Sequence, residues 1–266
     1  MLIIGCILAV VVGLTLGMIG SGGTILTVPI LVYIMAVEPV LATTYSLFAI
    51  GITSMVGGIR GIIKQEADLN KVLSFGLPSL IVVFLTRSFI LPLVPDVIHI
   101  AGYAIPQNTA LMLLFSCVMI ASSLSMIFAS RQDVVIRDVN LHAPVVLVIA
   151  QGALVGLVTG LVGAGGGFLI IPALVNFYHL PMRRAVATSL IIITINSAFG
   201  LIGDTEKFVE FDWNLLLSYT ASTLVGIFIG FYFAEKVTNQ FLKSAFGYLI
   251  LVLGIYIILK ETVLSY

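Results

Sequence analysis

The sequence predicts an all-α, polytopic membrane protein of two inverted repeats, each a glycine-broken helical hairpin followed by three spanning helices. Three observations predict it. The 266 residues are 60% hydrophobic and only 9% charged, with a mean hydropathy of +1.22, where a soluble domain carries about 25% charged residues. A glycine cluster, Gly20-Ser21-Gly22-Gly23-Thr24, returns 143 residues later as Gly163-Ala164-Gly165-Gly166-Gly167, each time between apolar runs. Lysines and arginines collect on one side of a bilayer if each broken segment folds back on itself.

The elements follow in order. Leu2–Ile19 runs directly into the first glycine cluster and has no basic residues before it, so it reads as a retained segment rather than a cleaved signal. Ile25–Val37 follows the cluster and is too short to cross a core of about 30 Å at about 1.5 Å per residue. Three apolar stretches of spanning length come next, 41–63, 72–94 and 108–129, and close a first half at about residue 130. A polar joint, 131–142, is assigned to the cytoplasmic side. The second half, 143–266, repeats the order: a broken hairpin over 143–178, then spans at 185–203, 215–234 and 241–259.

Similarity between the halves extends beyond the glycines. Gly17 and Pro29 match Gly160 and Pro172, and Ala42–Leu47 matches Ala185–Leu190 at the same offset. Thr53-Ser54 falls on Asn196-Ser197. With one residue of drift Asp68-Leu69-Asn70 falls on Asp212-Trp213-Asn214, each aspartate standing as the N-cap of the next helix.

Charge decides the orientation. If each broken segment were one crossing, the basic residues would divide seven to five. If each is a hairpin, Arg60, Lys64, Lys71, Arg131, Arg137, Arg183, Arg184, Lys236 and Lys243 share a side against Arg87, Lys207 and Lys260. Nine against three favours the hairpin, with inverted halves and both termini outside.

A helix restarting after a glycine break turns its amides and the positive end of its dipole toward the break, which suits an anion without any charged side chain. Paired interruptions in matching halves mark a transporter's binding site. The candidate substrate-binding set is therefore Ser21, Gly22, Gly23 and Thr24 with Thr44 and Ser46, then Gly165, Gly166 and Gly167 with Thr188, Ser189 and Asn196. Ser21 and Thr24 have no hydroxyl counterpart in the second cluster, so the site is expected to be asymmetric. Arg60 and Arg87 are candidates for gating or charge attraction, Arg87 because it lies inside a predicted span; the alternative for Arg87 is snorkelling to the outer interface, with Asp96 or the nearby loop as partner. No acidic residue falls deep in a span, so no carboxylate proton relay is expected.

Net charge is zero, which gives no basic face for nucleic acid. Cys6 and Cys117 read as small core residues, the three histidines form no metal-binding pair, and neither glycine cluster has the lysine of a P-loop or the βαβ context of a dinucleotide fingerprint. No enzyme and no cofactor are expected. The function that remains is a secondary transporter moving a small anion by alternating access. An anion channel or a membrane scaffold stands as the alternative. The expected partners are the anion and the lipid bilayer, with a homodimer left open.

Gly17–Thr24 followed by Pro29, and Gly160–Gly167 followed by Pro172, resemble the paired signature of the sulfite exporter TauE/SafE family. The resemblance takes in Ala185–Leu190 and Phe211-Asp212-Trp213-Asn214, and so nearly the whole chain. It implies a bacterial inner-membrane permease for a small inorganic or organosulfur anion, such as sulfite or an organosulfonate. Thr86-Arg87 and the long Pro92–Gln107 segment depart from the simplest form of the repeat.

Overall fold

The computed structural model describes residues 1–100, 103–129, 145–176, 178, 180–234 and 239–263; the joint at 131–142 lies outside them. The described residues are almost all helical. In chain order, α1 is Leu2–Ile19, and α2 is a short composite helix wound as Ser21–Leu26, Thr27–Pro29 and Ile30–Ile34. The next elements are α3, Pro39–Ile63, and α4, Leu69–Leu85, continued by a π-helical turn at Thr86–Ile90 and by Leu91–Leu93. A hairpin of β1, Val97–Ile100, and β2, Tyr103–Pro106, precedes α5, Gln107–Ala129. The second half holds α6, Val145–Val162; α7, Gly167–Asn176; α8, Met182–Gly203; α9, Trp213–Phe233; and α10, Asn239–Val263. Six of the described helical stretches are long and apolar enough to cross a membrane, while Gly23–Ile34 is a shorter apolar helix.

Local chemistry sets the ends. Asp68 accepts the Asn70 and Lys71 amides at 3.1 and 3.2 Å, and Asp212 accepts those of Asn214 and Leu215 at 3.0 and 3.2 Å, so both predicted caps form. Pro39 starts α3 where its missing N–H is harmless. The β hairpin was not expected from the sequence. Cys117 is exposed on the outside of the bundle and Cys6 only partly covered, so neither is the core residue expected.

Small residues decide which helices touch. Gly13 of α1 lies against Thr223 and Ile227 of α9, and Gly17 against Ile227 and Gly230. At the repeat-related positions Gly156 of α6 lies against Ser79 and Val82 of α4, and Gly160 against Thr86. Both seams use small residues four apart, which lets backbones come close in lipid. At the centre α3 crosses α8: Leu47 meets Gly200, Gly51 meets Ser197, Gly58 meets Ile191 and Gly61 meets Ala187, so these two helices run antiparallel. α5 packs on α10.

Directions follow from the same contacts. Thr53, Gly57 and Arg60 of α3 meet Thr223, Ile227 and Phe231 of α9 in that order, so α1, α3 and α9 all run one way. Gly76 faces Ile192 and Val83 faces Gly200, so α4, α6 and α8 run the other way. Because α1 and α3 point in the same direction, residues 21–34 return the chain between them.

Candidate functional site

The second glycine break is built from left-handed backbone. Gly163, Gly165 and Gly166 have φ of +71°, +65° and +67°, a region that side chains resist. Space is as tight as geometry: a Cβ on Gly163 would stand 2.6 Å from the Thr43 carbonyl oxygen, and one on Gly166 would strike Thr159 Oγ1. The break delivers the chain into α7, whose positive dipole end therefore opens at the loop. Gly165 faces Ile193 at 2.9 Å, Ile50 at 3.2 Å and Ser197 Oγ at 3.7 Å, measured from where its side chain would begin. Ser197 is fully buried and its hydroxyl has no partner.

The first break is different. A single left-handed residue, Gly20 at φ +78°, makes the bend, and helical winding resumes at once from Ser21. Gly22, Gly23 and Thr24 therefore lie within a tight helical turn, four residues ahead of the predicted start at Ile25. A Cβ on Gly23 would stand 2.8 Å from the Leu16 amide nitrogen, so this glycine lets α2 fold back on α1. Thr24 is fully buried; the side-chain surroundings at Ser21 and Gly22 lie outside what the structure describes. The expected asymmetry thus reaches the backbone itself. Gly20 packs on Val186 of α8 as Gly163 packs on Thr43 of α3, at repeat-related positions. The first turn of α2 also contacts α7 and α8, so the two breaks adjoin.

Two polar clamps flank the α3–α8 crossing. Thr53 shares a 2.7 Å hydrogen bond with Thr223, and at the related positions Asn196 Nδ2 donates to Ser79 Oγ at 2.8 Å. The first clamp pairs two hydroxyls; the one that accepts across it donates its own proton to a backbone carbonyl, of Ala49 or of Thr220. The second leaves Asn196 Oδ1 buried without a partner. Ser79 and Thr223 were missed in the sequence, although they stand 144 residues apart, the register of the aspartate caps.

Three of the other expected ligands hydrogen-bond within the protein. Thr188 accepts the Asp68 amide at 3.0 Å and so serves the start of α4. Ser189 donates to the Val186 carbonyl at 2.8 Å within its own helix. Thr44 donates to Asp204 Oδ2 at 2.8 Å. Ser46 is fully buried with no partner. The structure therefore sets the second break, Gly165–Gly167, against the first turn of α2 with Ser197 beside Gly165, while Asn196, Thr44 and Thr188 hold to Ser79, Asp204 and Asp68.

Arg87 does not pair with Asp96. It is fully buried and donates through Nη1 to Asp204 Oδ2 at 2.6 Å and to Thr44 Oγ1 at 3.4 Å. Asp204 directly follows α8 and is 3% exposed, so a buried carboxylate exists where counting along the spans found none. Arg60 lies with its guanidinium 4.1 Å from the centroid of Phe231, a cation–π contact between the halves. Phe231 occupies the position in α9 that Arg87 occupies in α4.

A family model described as Sulfite exporter TauE/SafE matches residues 5–257. The chain belongs to the sulfite exporter TauE/SafE family. A "Probable membrane transporter protein" of Xylella fastidiosa strain Temecula1 is 27% identical over 263 residues, covering 94% of this chain and 92% of that protein. One from Methanocaldococcus jannaschii is 27% identical over 215 residues, 76% of this chain and 74% of its own. One from Bacillus subtilis is 26% identical over 234 residues, 88% and 90% respectively. No solved structure matches the chain. Family membership and the apolar helices together make it a multi-pass membrane protein of a transporter family.

Proposed function

We propose that the chain is a secondary transporter that moves a small oxyanion, a sulfur oxyanion or organosulfonate, across the bacterial inner membrane by alternating access. The observation that carries this reading is the second break. Three left-handed glycines open onto the start of α7, and the buried Ser197 hydroxyl beside them has no protein partner. A buried hydroxyl left unmade is costly, and a ligand oxygen held between it and the helix dipole would remove the cost. The family model's description supplies the anion class.

The antiparallel run of α3 and α8, and the return of the chain between α1 and α3, support the inverted-repeat reading in which the breaks enter from opposite faces. That reading puts both termini outside, in keeping with the nine-to-three division of basic residues. Ile50 and Ile193, repeat-related and both buried, cover Gly165 in this conformation. They are the apolar plug that has to part before the anion reaches the loop.

The test is Gly166→Val in proteoliposomes. Val at φ +67° and against Thr159 has no acceptable conformation, so uptake of radiolabelled sulfite should vanish while the protein still inserts. Wild-type flux in that variant would remove the glycine loop from the mechanism. Flux that never saturates and cannot be driven uphill by a counter-gradient would identify a channel instead.

A further inference from the structure

We propose that Arg87 is a substrate-binding residue: the Nε–Nη2 edge of its guanidinium forms a subsite that takes two oxygens of one small oxyanion. The proposal deepens the anion-transport reading and rests on it.

Asp204 leaves part of the Arg87 guanidinium unsatisfied. Arg87 is 0% exposed, yet its hydrogen bonds come from Nη1, and Nε and Nη2 are buried with no partner. Asp204 accepts from both Arg87 and Thr44 through one oxygen, Oδ2. The ion pair is therefore a single-point contact at the end of the guanidinium. The side-on fork, Nε with Nη2, is the edge whose spacing matches two oxygens of a carboxylate, sulfonate or sulfite. Unsatisfied donors on a buried cation are rarer and more costly than on a neutral group.

The position is equally specific. Arg87 lies in the π-helical turn Thr86–Ile90, a form of helix frequent at functional sites. Its predecessor Thr86 packs on Gly160, and Thr43, the predecessor of its partner Thr44, packs on Gly163. The Arg87 network is thus anchored at two points to the polypeptide that forms the second break. Thr86 Oγ1 is also buried without a partner. At the related position in the other half stands Phe231, so the fork has no twin. Asp204 and Thr44 are positioning residues: they hold one end of the guanidinium and leave the other for the ligand. An oxyanion meets the fork with two near-parallel hydrogen bonds, one to each of two oxygens, whereas chloride accepts both donors at one atom, so the subsite favours oxyanions.

The experiment is calorimetric titration of the full chain in lipid nanodiscs with methanesulfonate, acetate and chloride. Wild type is expected to bind both oxyanions more tightly than chloride. Arg87→Lys keeps the charge but loses the fork, and should weaken methanesulfonate binding roughly tenfold. Arg87→Gln with Asp204→Asn removes both charges together, leaves no lone buried ion, and should weaken it further. Asp204→Asn alone leaves the cation uncompensated and should tighten binding, a gain that a purely structural ion pair would not produce. Unchanged affinity in Arg87→Lys, or in the folded double variant, overturns the subsite. If Gly166→Val then abolishes binding, the transport reading survives without it. A wild-type protein that binds neither oxyanion overturns both.

Discussion

Asn196 and Thr53 occupy the same place in the two halves, yet their side chains end in different states. Thr53 and Thr223 satisfy each other, whereas Asn196 satisfies Ser79 and keeps a carbonyl oxygen buried and unpaired. Interhelical hydrogen bonds of this kind in lipid are worth on average about 0.6 kcal/mol. Thr53→Val and Asn196→Leu should therefore lower thermal stability by similar small amounts. Only Asn196→Leu should also reduce anion flux, because it alters the surroundings of Ser197 and Gly165; equal fluxes in the two variants would assign Asn196 to packing. At this scale the sequence was readable where the rule is local. Asp68 and Asp212 cap helices because an aspartate binds amides two and three residues on. Asp204 was not readable. Its partner Arg87 lies 117 residues away, and no pattern along the chain ties a helix-terminal acid to a particular cation. Thr188 and Ser189 show the same limit: their spacing gives a helix face and does not tell that Thr188 accepts the Asp68 amide or that Ser189 donates to Val186.

Among elements, the seam of α1 with α9 depends on glycine more than its counterpart does. Gly13, Gly17, Gly226 and Gly230 all face one another there, and a Cβ on Gly226 or Gly230 would strike the Val10 or Leu14 carbonyl. In the seam of α6 with α4 the places of Gly226 and Gly230 are taken by Val82 and Thr86. Gly230→Leu should consequently push α9 off α1 and prevent accumulation of monodisperse protein, read by size exclusion of detergent extracts. The matched change Thr86→Leu, at a position that already carries a branched side chain, should leave a larger folded fraction. Equal losses would mean that the two seams are equally close. Hydropathy located nearly every helix to within a few residues, since spans are set by the thickness of the apolar core. It did not locate the true start of α2, because a 3₁₀ turn tolerates the glycines of Ser21–Leu26 that an α-helix would disfavour. Nor did it show the β hairpin, whose strands, Val97–Ile100 and Tyr103–Pro106, are four residues each and carry no strong turn signal between them.

At the scale of the whole molecule the halves are interlocked. α1 packs on α9, α4 on α6 and α8, α3 on α8 and α9, and α5 on α10, so the main partner of each long helix belongs to the other repeat. The 143-residue offset in the sequence suggests a duplication; the exchange of partners is not written there, because periodicity tells which face is small without naming what fills it. The exchange has a consequence for folding. A half on its own would expose the glycine faces at Gly13, Gly17, Gly156 and Gly160 and the polar side chains of Thr53 and Asn196 to lipid, where they lose backbone contact and hydrogen bonds together. Residues 1–130 and 143–266 expressed separately should each be degraded or aggregate. Expressed together from two genes, they should co-purify as one complex, with the ion pair of Arg87 and Asp204 and the contact of Arg60 with Phe231 both spanning the cut chains. A single half that remains monodisperse and helical on its own would show that the contacts within each repeat suffice, and that pairing across the molecule is a late docking step.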